Sequence, residues 1–131
     1  MTTGTAHWSD RYIGLPYTKA DCAELCARVQ REQYGREVEI PSERGADLEA
    51  NSHLLEANML DFLELTDAPG EGDVVLMRCS GRLRHPGTLC LIGGDRYVLH
   101  ALRNARQAVR HRLRDLHRYG LLPEQFYSWR V

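Results

Sequence analysis

Lysine is almost absent from this chain. Sixteen of its seventeen basic residues are arginine, and Lys19 is the exception. No apolar run approaches the ~18 residues that a membrane-crossing helix needs, so membrane insertion is not expected. The opening MTTGTAHWSDRY has neither the basic flank nor the apolar h-region of a secretory signal, so synthesis in the cytoplasm without a signal peptide is expected. Cysteine occurs four times, at Cys22, Cys26, Cys79 and Cys90, but never as C-x-x-C. That spacing argues against an iron–sulfur cluster and against a zinc site built on Cys79, His85 and Cys90, so no metal and no cofactor is expected. There is no glycine loop to cradle a phosphate and no basic helix interleaved with aromatics. Nucleic acid is therefore not an expected partner. Repeats, long linkers and low-complexity segments are also missing.

What is there fits one ordinary globular domain spanning residues 1–131. The chain has 131 residues, 43% hydrophobic and 27% charged, enough to bury a core without disulfides. The formal net charge of −1 hides an asymmetry. Residues 1–77 hold 6 basic against 15 acidic side chains, whereas residues 78–118 hold 10 arginines against 2 aspartates. Either the halves neutralise each other across one fold, or the second half presents an anion-facing surface suited to arginine.

Helix signals come first along the chain. After an irregular approach through Gly14, Pro16 and Tyr17, Asp21 is a good N-cap, with Glu24 placed as in a capping box. Cys22, Leu25, Cys26 and Val29 then form one apolar stripe at helical spacing, and Gly35 is a natural stop. A second helical stretch is expected from about Ala46 to Leu65. The period then changes. APGEGD is turn chemistry. DVVLMR, Leu89–Ile92 and Tyr97–Ala101 read as strands, the last two joined through Gly93-Gly94-Asp95. Ala108–Leu113 reads as a fourth strand, Leu113–Tyr119 as a short helical turn, and Phe126–Val131 as a closing edge strand. Helices followed by an antiparallel meander predict an α+β fold, with N-terminal helices packed on a C-terminal sheet.

Cys22 is the most informative residue. In the first turn of its helix, free N–H groups and the helix dipole favour the thiolate, and such sites lower a thiol from about 8.5 to roughly 3.5–7.5. Cys26, one turn deeper, reads as core. A nucleophilic cysteine needs a base, and the base needs an orienting group. His7, His53, His111 and His117 stand in polar or charged surroundings and read as surface residues. His85 leads into one strand of the hairpin and His100 ends the other, so the two can be neighbours. Read as residues alone, they are either part of a Cys-His-His site or two rim histidines, with His100 a satisfied core residue.

Four segments carry a resemblance: GLPYTKADCAELC, GEGDVVLM, HPGTLCLIGGDRYVLHA and GLLPEQFYSWR. In this order they resemble the NlpC-type cysteine peptidases of bacterial cell walls, specifically the short branch encoded among phage tail genes. The resemblance spans nearly the whole chain, and its specificity lies in the ordered set DC, GD, H-x-G and LHA. It implies a papain-like α+β core with no metal. Cys22 would be the nucleophile, His85 the general base and His100 the group that orients His85. Tyr17 would line the cleft, and Asp21 would stand beside it on the substrate side. The implied substrate is an amide bond of the peptidoglycan stem peptide. The implied partners are phage tail-tip or hub proteins, and the implied place is the virion tail, acting at the host wall. A structural tail-tip protein that keeps the fold without the chemistry is the alternative.

Overall fold

The first long helix begins where the sequence supplies both a cap and an apolar stripe. Helix α1 runs Cys22–Tyr34. Asp21 Oδ1 accepts the Glu24 N–H at 3.0 Å, and Gly35 closes the helix in the left-handed conformation (φ 64°) that glycine adopts without strain. The Glu24 carboxylate turns to Arg31 (2.6 Å) and Arg28 (3.6 Å). The computed structural model describes residues 6–38, 61–79 and 83–130.

Six strands follow: β1 Leu63–Leu65, β2 Val74–Cys79, β3 Leu83–Ile92, β4 Asp95–Leu102, β5 Gln107–Arg112 and β6 Leu121–Trp129. They form one sheet in the order β1-β6-β2-β3-β4-β5, with every neighbouring pair antiparallel. Two 3-10 helices, Trp8–Tyr12 and Leu113–Tyr119, complete the described elements. The architecture is α+β.

The sheet is covered on both faces. On one, Ala23 and Ala27 of α1 join Val74, Leu76, Tyr127 and Trp129, while Leu25 and Val29 join Cys90, Leu99, Ala101 and Ala108. On the other, Leu113 and Leu116 of the second 3-10 helix join Val75, Met77, Leu89, Val98 and Leu121. The β2 run VVLM is buried at all four positions because both layers press on it. Each fully buried Leu or Val contributes about 1.5–3 kcal/mol relative to exposure.

Several expectations need correction. Of the helical stretch placed at Ala46–Leu65, residues 46–60 lie outside the described residues. Leu63–Leu65 is strand β1, paired with Trp129, Ser128 and Tyr127. The approach to α1 contains a 3-10 helix at Trp8–Tyr12, capped by His7, whose Nδ1 accepts the Ser9 N–H at 3.1 Å. Strand β3 opens at Leu83 rather than Leu89 and carries Pro86 in its interior. The missing N–H is tolerated because the ladder with β4 runs only from Thr88–Leu99 onward, so β3 pairs with β2 alone around Pro86. The last strand is not an edge. β6 lies between β1 and β2, and β1 and β5 form the edges.

Candidate functional site

Strand alternation decides which side chains meet. Thr88 faces α1, because its Oγ lies 3.7 Å from Cys26 Sγ. His85 is three residues back along an unbroken register and so points to the opposite face. Its partner across the ladder, Met77, belongs to the cluster under the second 3-10 helix. His100 follows Leu99, the cross-strand partner of Thr88, and points the same way as His85. The two imidazoles meet there: His85 Nε2 lies 2.9 Å from His100 Nδ1, with the rings edge to face at 80°.

A third imidazole joins them. His111 pairs with Val98 across β4–β5, and its Nδ1 lies 3.1 Å from His100 Nε2. It stacks on Tyr119, with ring centroids 3.7 Å apart and planes 10° apart. Its polar and charged sequence surroundings predict a surface position for His111, and the structure half-buries it. The flanking arginines use the other face of β5: Arg110 reaches Ser9 and Asp10, and Arg112 reaches Tyr97. Period-two alternation of a charged–His–charged triplet is the signal that could have found His111.

Both nitrogens of His100 are engaged, and the ring is fully buried. His85 is 8% exposed. Its Nε2 is taken by His100. His85 Nδ1 makes no hydrogen bond among the described residues. Burial pushes His85 down to about 4. Burial, with the neighbouring His85 and His111, pushes His100 down to about 2. Burial also lowers His111. All three are neutral at pH 7, so each shared hydrogen bond must have one donor and one acceptor.

Cys22 opens α1 on the other face, packed against both clusters under that helix. Burial pushes its thiol up, and the Asp21 carboxylate and the Cys26 thiol add to this, against the lowering effect of the nearby backbone N–H groups of Ala23 and Cys22. Desolvation here outweighs the helix start, opposite to the direction expected from the sequence. No hydrogen bond joins Cys22 Sγ to an imidazole among the described residues. The structure thus brings His85 and His100 together and leaves Cys22 across the sheet from them. Asp21 is buried at the cap. Tyr17 is half-buried against the cluster of Leu25 and Leu99, and its N–H donates to Arg106 O at 2.9 Å.

The four thiols are free, with Cys26 and Cys90 buried and Cys22 and Cys79 half-buried. Among the described residues, no group of three or more His, Cys, Asp or Glu side chains converges as a metal site, and no helix is long and apolar enough to cross a membrane. Several arginines of the second half are paired: Arg78 and Arg84 with Glu124, Arg110 with Asp10, and Arg112 and Arg114 with Asp95. No family model matches the chain, and neither the curated proteins nor the solved structures contain a match.

Proposed function

We propose that this chain is a papain-like cysteine hydrolase of the NlpC type, acting on an amide bond of peptidoglycan stem peptides as a component of a phage tail tip. The observation that carries the reading is the state of His85. It is neutral, its Nε2 is held by His100, and its Nδ1 makes no hydrogen bond among the described residues. This is the arrangement of an oriented general base. In this reading Cys22 is the nucleophile at the start of α1, and the backbone N–H groups of that helix start would hold the oxyanion.

In the forward step the Cys22 thiol loses its proton to His85 Nδ1, and Sγ bonds to the carbonyl carbon. The C–N bond then breaks as His85 returns that proton to the leaving amine. Water, deprotonated by His85, adds to the thioester and releases the carboxylate and the thiol. In the arrangement described, Cys22 and His85 lie on opposite faces of the sheet, with His85 on the interior strand β3, so this transfer needs a relative placement of the two that differs from the one described.

A second reading has its own support. Cys22 and His85 open on opposite faces of the sheet in the resting arrangement, and the thiol is pushed up by burial. Both fit a structural tail-tip protein that retains the fold without the chemistry. Digestion of purified peptidoglycan by wild type and Cys22→Ala, read by mass spectrometry, separates the two. New stem-peptide termini from wild type alone support the hydrolase. Intact glycopeptides from both, with Cys22 alkylated by iodoacetamide no faster than Cys79, support the structural protein.

A further inference from the structure

The base in the proposed reaction stands in a place that cannot hold a charge. His85 is buried, and so is its partner His100. An imidazolium confined to that pair would be strongly disfavoured. The line does not end there, because His100 uses its second nitrogen on His111, which is half-exposed and lies flat on Tyr119.

We propose that His111 is the charge-bearing end of a three-imidazole line, a positioning residue that lets His85 act as a base while the positive charge sits outside the buried pair. The proposal rests on the hydrolase reading above. The proton accounting closes. In the neutral line each ring carries its proton on Nε2. His85 donates to His100 Nδ1, His100 donates to His111 Nδ1, and His85 Nδ1 keeps its lone pair. When His85 Nδ1 takes the thiol proton, its Nε2 proton passes to His100 Nδ1, and the His100 Nε2 proton passes to His111 Nδ1. His111 then carries both protons and the charge, while His85 is neutral with a proton on Nδ1. Donation of that proton to the leaving amine runs the line backwards and restores the start.

The surroundings of His111 suit a transient cation. The Tyr119 ring face lies against it, as in a cation–π pair. Beyond Tyr119, the titratable group facing it among the described residues is His100. The charged groups nearby on the second 3-10 helix have other partners, Arg114 with Asp95 and Asp115 with Arg118. His117 is exposed. Arg110 and Arg112 are turned to the far face of β5.

The same geometry implies a control by pH. A proton arriving from solvent at His111 forces its Nδ1 to donate, so His100 must carry its proton on Nδ1, and so must His85. The base then loses its lone pair without being charged itself. Protonation of the surface imidazole switches off the buried one.

Two-dimensional 15N NMR of the histidine rings in the full chain tests this without requiring activity. On lowering the pH, the His85 Nδ1 resonance should change from the unprotonated to the protonated type in step with the titration of His111, over about two pH units. In His111→Phe, which keeps a ring on Tyr119, His85 should show a mixture of tautomers and no such step. A His85 tautomer indifferent to the His111 titration would overturn the proposal. The wild-type titration alone decides this if the variant does not fold. The hydrolase reading fails by a different result, namely Cys22 alkylation unchanged by His85→Ala.

Discussion

Gly87 stands across the hairpin from His100, and the fit leaves no room for a methyl group. A Cβ on Gly87 would lie 3.2 Å from His100 Cβ, 3.0 Å from Met77 Cε and 2.4 Å from Val98 Cγ1. The first and third of these neighbours belong to β4 beside β3, so the strain cannot be relieved by one flexible side-chain end. Gly87→Ala is expected to cost about 1–3 kcal/mol through overpacking. It should also disturb the His85–His100 bond, since His100 carries one of the crowded atoms. Urea unfolding gives the first effect, and the ring 15N spectrum of His85 gives the second. A full-stability variant with an unchanged spectrum would contradict the packing described for this turn of the sheet.

Stability should fall on mild acidification. Burial holds His85 down to about 4 and His100 down to about 2, while an unfolded histidine titrates near 6.5. Between about pH 6.5 and 4 the unfolded chain therefore binds more protons than the folded one, and the equilibrium shifts towards it. The contribution is fully present above about 6.5 and is lost as pH falls, at up to about 1.4 kcal/mol per pH unit for each histidine. Urea midpoints at pH 7, 6 and 5 should decrease in that order. His100→Gln should show a shallower decrease than wild type.

Local signals made part of this fold readable. Helix α1 was legible because Asp21, the stripe Cys22-Leu25-Cys26-Val29 and Gly35 agree with one another. The β3–β4 hairpin was legible because Gly93-Gly94 separates two β-rich runs, and that pairing brings His85 beside His100. The misses share a non-local cause. Leu63–Leu65 continues an apolar helical pattern and becomes strand only because β6, more than fifty residues later, pairs with it. β6 becomes interior for the same reason. His111 was hidden by the charges on either side, which the sheet sorts to its opposite face. Cys22 was readable as a helix start, but the weight of burial against the dipole depends on what covers the thiol.

Asp21 does two jobs that a single substitution can separate. Its carboxylate caps α1 through Glu24 N and raises the neighbouring thiol. Asp21→Asn keeps an oxygen for the cap, so stability should change by less than about 1 kcal/mol. It removes the negative charge beside Cys22, so the thiol should titrate lower and alkylate faster at fixed pH. Asp21→Ala should show the same faster alkylation with a loss of about 1 kcal/mol from the cap. Alkylation rates at pH 8 with urea denaturation check both. Equal rates in wild type and Asp21→Asn would mean that desolvation alone governs the thiol.

Glu71 ties the N-terminal 3-10 helix to the sheet. Its Oε1 accepts from Trp8 Nε1 at 2.7 Å and lies 2.6 Å from His7 Nε2, while its Oε2 accepts the Leu91 N–H at 2.6 Å. One carboxylate thus joins the segment before α1 to the outer end of β3. Bonds to a charged acceptor contribute roughly 1.5–3 kcal/mol each when made, less where water competes. Glu71→Ala removes all three, whereas Glu71→Gln keeps one acceptor oxygen and loses the charge. Both variants should destabilise, Ala by about 2 kcal/mol or more and Gln by less. The local effect should exceed the global one, because Trp8 packs at the edge of the cluster of Leu25, Val29, Cys90 and Leu99 as a partly buried residue. Trp8 should become more exposed, seen as a red shift in fluorescence in a Trp129→Phe background. Limited proteolysis should cut near Trp8–Tyr12 before the sheet opens. A variant that unfolds in one step, with no early cleavage there, would show that this segment is part of the cooperative core rather than a strap fastened by Glu71.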